Sequence, residues 1–141
     1  MTEVKYVVND PKIGKSYQKT MENMLLNKKI GEKIEGNSLG LRDYELQIMG
    51  GSDNAGFPMR PEIQTSGRKR LILKRGDIGA RINVKGMKNI KTVRGNTISD
   101  QTAQINMKVV KYGSKPITEL WNIAEKKKEE APQGEKAPET K

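Results

Sequence analysis

Tyr44-Glu45-Leu46-Gln47-Ile48 alternates apolar and polar side chains and then runs into Gly50-Gly51-Ser52-Asp53-Asn54-Ala55-Gly56-Phe57-Pro58-Met59. Tyr44, Leu46 and Ile48 stand at period two, which puts them on one face of a strand with Glu45 and Gln47 on the other. Three glycines and an Asp-Asn pair then give the backbone the freedom that tight turns need. The segment therefore reads as a half-buried strand closed by a structural turn, in preference to a ligand-binding loop. Phe57 is the one Phe of the chain, and with Pro58 and Met59 it is expected to plug one end of the core.

The same period recurs on both sides. Val4-Lys5-Tyr6-Val7-Val8 is β-prone and is closed by the turn signal Asn9-Asp10-Pro11. Met21, Met24 and Leu25 have helical spacing, which predicts a short helix over 19–26 stopped by Gly31. Residues 32–40 read as loop or a further helical turn. Downstream, Leu71 and Leu73 of Arg70-Leu71-Ile72-Leu73-Lys74 face inward, leaving Arg70 and Lys74 on the outer face. Residues 76–90 hold glycines at 76, 79 and 86 with little apolar period, and are expected to be a flexible basic loop that a polyanion orders. Residues 91–98 resume β-prone sequence. Ala103, Ile105, Met107 and Val109 then alternate with Gln104, Asn106 and Lys108, and Asp100 suits a hairpin turn between these strands. The fold predicted is mainly β: a small β-barrel or tightly curled sheet over residues 1–112, with one short helix. Pro116 opens a C-terminal helix within 113–130, Trp121 pins that helix to the barrel, and 131–141 form a disordered tail.

Several chemistries are absent from the composition. The 141 residues include no Cys and no His, so there is no disulfide, thiolate nucleophile, imidazole base or zinc site of the usual kind. No metal or cofactor is expected. Gly14-Lys15-Ser16 resembles the end of a phosphate loop, but that loop needs a glycine where Asn9 stands. No pair of carboxylates stands in a recognisable catalytic frame, so an enzyme is not expected. No apolar run exceeds three residues, which argues against a membrane span or signal-peptide core and for a cytoplasmic protein.

The charge is segregated. Residues 1–59 carry eight basic and eight acidic side chains, and residues 95–141 carry eight and seven. Residues 60–94 carry 11 basic side chains against Glu62 and Asp77, so nearly all of the chain's net +10 resides in this quarter. Scattered solubility charge does not segregate in this way, whereas a surface that meets a polyanion does. The candidate RNA-binding residues are Arg60, Arg68, Lys69, Arg70, Lys74, Arg75, Arg81, Lys85, Lys88, Lys91 and Arg94. Of these, Arg68, Arg70 and Arg94 are the expected phosphate forks, because a planar guanidinium bridges two phosphate oxygens. None of the six aromatic residues lies in the basic block, which disfavours base stacking and favours recognition of RNA shape.

Gly50-Gly51-x-Asp53-x-x-Gly56-Phe57-Pro58-Met59, then Gly67-Arg68-x-Arg70 and Lys91-x-Val93-Arg94-Gly95, resembles the signature of the archaeal and eukaryotic ribosomal protein six of the small subunit. The resemblance covers residues 1–111. It implies a non-enzymatic, β-barrel-like structural component of the small ribosomal subunit that binds its ribosomal RNA. Neighbouring ribosomal proteins are further expected partners, and the protein is expected to be cytoplasmic and monomeric when free. Two departures stand out. Met87, Asn89 and Ile90 dilute the arginine run usual before the Lys-x-Val-Arg-Gly element, and no Ser follows Ser114, so regulation by a kinase is not carried over. The short form is similar to archaeal members. The rival reading is a free nucleic-acid-binding, chromatin or RNA-chaperone protein of single-barrel type, which would bind duplex DNA as well.

Overall fold

The computed structural model describes residues 3–121. The expected tail at 131–141, and the part of the expected C-terminal helix beyond residue 121, lie outside the described residues. Among the described residues seven strands run in the order β1 (Glu3–Asp10), β2 (Lys15–Glu22), β3 (Lys33–Glu35), β4 (Glu45–Asp53), β5 (Arg68–Leu73), β6 (Asn89–Arg94) and β7 (Thr102–Lys111), with a 3-10 turn over Gly36–Leu39 after β3, where a loop or helical turn was expected, and one helical turn, α1 (Ile117–Leu120), at the end. Five strands form one sheet in the order β2-β1-β7-β4-β3, while β5 and β6 pair only with each other as a two-stranded ribbon.

In the main sheet β1 and β7 are parallel and the other neighbours antiparallel. Alternation decides what each strand buries. Val4, Tyr6 and Val8 of β1, Ile105, Met107 and Val109 of β7, and Leu46 and Ile48 of β4 fill one face, and Leu39, Leu41, Tyr44, Ile98 and Trp121 cover them. Burying each such side chain is worth about 1.5–3 kcal/mol. Trp121 closes this core as expected, its indole N–H donating to the Leu39 carbonyl at 2.9 Å.

Several expectations are corrected. The barrel is not formed: the sheet is open, with β2 and β3 at its two edges, because β5 and β6 leave it to pair with one another. The helix over 19–26 is replaced by β2. Asp10 builds the hairpin turn that commits this stretch to pairing, its carboxylate accepting the Lys12 and Ile13 N–H groups while its carbonyl accepts that of Gly14. Tyr17, Lys19 and Met21 then alternate inward along the strand. Finally, Asp100 stands in a turn that links two sheets, since β6 pairs with β5 and β7 with β1 and β4. The loop between β5 and β6 ends sooner than the expected 76–90. Asn89 and Ile90 belong to β6, and Ile82 is buried.

Candidate nucleic-acid interface

The ribbon bears the basic residues, and its register sorts them onto two faces. Directly opposed residues of an antiparallel pair share a face. One face carries the pairs Lys69–Val93, Leu71–Lys91 and Leu73–Asn89, and its apolar members pack with Ile63 and Ala80 into a second small core. The other carries Arg68–Arg94, Arg70–Thr92 and Ile72–Ile90. One residue beyond the last paired positions, Lys74 and Lys88 flank the start and end of the connecting loop.

At the base of the ribbon a carboxylate organises the arginines. Asp53, at the end of β4, has a side chain with 0% exposure, and one oxygen accepts the Nε of Arg68 at 2.6 Å and the terminal nitrogen of Arg94 at 2.7 Å. The backbone N–H of Asn54 donates to its other oxygen. Burial by itself would raise the Asp53 pKa, but the hydrogen bonds from Arg68, Arg94 and Asn54 outweigh it and hold this carboxyl below the usual carboxylate range. Arg94 is equally enclosed: it also donates to Gln101 and Ser99, and its side chain is 3% exposed.

The glycine-rich segment before β5 is built around the same joint. The Arg94 backbone donates to the Pro58 carbonyl, the Arg60 backbone donates to the Arg94 carbonyl, and Met59 is buried in the main core. Phe57 is half-buried instead of plugging the core, and the Arg68 guanidinium lies 5.1 Å over its ring. Gly51 and Gly95 are required by contact: a Cβ on Gly51 would fall 2.2 Å from the Gln104 carbonyl oxygen, and one on Gly95 would fall 1.7 Å from that of Thr65. The glycine, Phe-Pro-Met and Val-Arg-Gly segments thus form the joint that fixes the ribbon to the main sheet.

The candidate cations accordingly fall into three groups. Arg60 and Arg94 are turned inward: Arg60 is 7% exposed at its side chain and paired with Glu62, and the Nε atoms of both are buried with no hydrogen-bond partner among the described residues. Arg94, expected as a phosphate fork, has its guanidinium committed within the protein. Arg68 is intermediate, held by Nε yet 42% exposed at its side chain. Lys69, Arg70, Lys74, Arg75, Arg81, Lys85, Lys88 and Lys91 are exposed, and among the described residues none of them enters an ion pair. Asp53 is the organising residue that sequence reading missed. Its one visible signal was a lone acid inside a glycine-rich stretch otherwise free of charge.

The chain matches the family model for ribosomal protein S6e over residues 4–122. It is similar to the small ribosomal subunit protein eS6 of Methanocaldococcus jannaschii, at 48% identity over 87% of this chain and 94% of that protein. The eS6 protein of Archaeoglobus fulgidus is 45% identical over 87% and 98% of the two chains. That of Nanoarchaeum equitans is 50% identical over 84% and 90%.

Proposed function

From the chain's membership of the ribosomal protein S6e family, whose members are small-subunit ribosomal proteins and not enzymes, we propose that it binds small-subunit ribosomal RNA through the exposed cations of the β5–β6 ribbon and its loop. The observation that carries this reading is the presence, on one supported projection, of eight exposed cations that enter no ion pair among the described residues. Lysine and arginine neutralise phosphates and release condensed counterions, which supplies affinity without reading sequence. Arg68 adds geometry: Asp53 occupies its Nε and Phe57 supports its plane, so its two terminal nitrogens are held ready for phosphate oxygens. On this reading the protein is monomeric when free and is found with ribosomes in the cytoplasm, beside other ribosomal proteins.

Titration of the full chain against transcribed small-subunit ribosomal RNA tests the reading. If five to eight phosphates are engaged, log K falls with log salt at a slope of about −4 to −7. A slope near zero contradicts it, and equal affinity for duplex DNA and this RNA favours a general nucleic-acid binder.

A further inference from the structure

On the face of the ribbon that carries Arg70, Ile72 and Ile90 stand directly opposite each other and are 65% and 60% exposed. A single exposed isoleucine requires no explanation, but two in register form one continuous apolar surface. Its setting is unusual. Arg70 lies one pair before it, and Lys74 and Lys88 stand just beyond it, so an aliphatic strip is bracketed by cations along the ribbon. Four residues of strand set Arg70 and Lys74 about 13 Å apart along the backbone.

We infer that the Ile72–Ile90 pair seats in the minor groove of a ribosomal RNA helix, against its ribose and base edges, while Arg70, Lys74 and Lys88 hold the phosphates at the groove's borders. This rests on the ribbon being the RNA-binding surface. The choice of occupant follows from charge and shape. Three cations around the strip, with Asp77 the one acid at their edge where it accepts the Lys74 backbone N–H, call for an anionic border on the partner. The A-form minor groove is wide and shallow and offers sugar C–H surface between two phosphate rows, whereas the deep, narrow major groove excludes side chains. In DNA complexes isoleucine is among the apolar side chains that proteins press into the minor groove, and the wider RNA minor groove has room for the same contact. The bland alternative is that the pair stabilises the ribbon by cross-strand packing alone.

The test uses the full chain and transcribed small-subunit ribosomal RNA. Ile72→Thr with Ile90→Thr keeps β-branching and charge while removing the apolar surface. The expected result is a loss of affinity of about tenfold with an unchanged salt slope, since no phosphate contact is lost. Hydroxyl-radical footprinting is expected to show wild-type protection of riboses on both strands of one helix, and its loss in the variant. Ile72→Val with Ile90→Val, the milder change, is expected to fall between. Wild-type affinity and footprint in the Thr variant overturn the inference, whether or not its melting temperature drops. So does a variant that binds RNA normally but fails to recruit a neighbouring ribosomal protein in reconstituted subunits. Failure of the wild-type chain to bind this RNA overturns the reading of the ribbon itself, and is distinguishable because it appears before any substitution.

Discussion

Asp53 decides the roles of two arginines by accepting from both. Its side chain is fully enclosed, and Arg94 beside it is 3% exposed, so removing the negative charge leaves a buried guanidinium without its counter-charge. Asp53→Asn is expected to cost about 3–5 kcal/mol, measured by denaturant unfolding. Arg94→Lys should also destabilise despite keeping the charge, because an ammonium cannot reach Asp53, Gln101 and Ser99 in the planar arrangement a guanidinium provides. Acid should act through the same carboxyl. The folded-state pKa of Asp53 is depressed, so its contribution is present above the unfolded-state pKa and is lost as pH falls through the lower, folded-state value. Unfolding free energy measured from about pH 6 to pH 2 is expected to fall more steeply in the wild type than in Asp53→Asn, which has no carboxyl to protonate there. Parallel curves would remove Asp53 from the centre of the joint.

The ribbon is a different kind of element from the sheet that supports it. Its inner face is held by Leu71, Leu73, Val93 and Ile63, and Arg70 is exposed on the opposite face. Arg70→Ala with Lys74→Ala is therefore expected to weaken RNA binding while leaving the melting temperature within about 1–2 °C, since exposed charges without partners contribute little to stability. Arg68→Ala should do both, lowering affinity and also leaving Asp53 with one guanidinium fewer. The strands most legible in the sequence were β1, β4 and β7, each with one buried and one open face, so that period two survives in the residues themselves. β2 was hidden because Met21, Met24 and Leu25 imitate a helical stripe, although only Met21 belongs to the strand and Leu25 is buried from the coil after it. Three-residue β3 is too short to show a period. The separation of β5 and β6 into their own sheet is a matter of pairing, and single-strand patterning carries no record of it.

At the scale of the molecule, the basic segment proved to be a continuous piece of chain between two main-sheet strands, β4 and β7, which is why counting charge along the sequence located it. What counting could not do was separate cations that face out from those that face in. Asp53 lies 15 residues from Arg68 and 41 from Arg94 in sequence, so the joint exists only in three dimensions. The residues that carried the resemblance, from Gly50 to Met59 with Arg68, Arg94 and Gly95, are in this structure mostly those that join ribbon to sheet, and the surface they support is assembled from other lysines and arginines. The claim that this surface holds ribosomal RNA is tested most directly by comparing two variants of equal charge in the salt titration. In one, Arg70, Lys74 and Lys88 of the ribbon are changed to Gln; in the other, Lys5, Lys108 and Lys111 of the main sheet, which are also exposed, are changed to Gln. The ribbon variant is expected to lose about two to three from the magnitude of the slope while the sheet variant keeps the wild-type value. Equal loss in both, or loss in the sheet variant alone, would contradict the assignment of the interface to the ribbon.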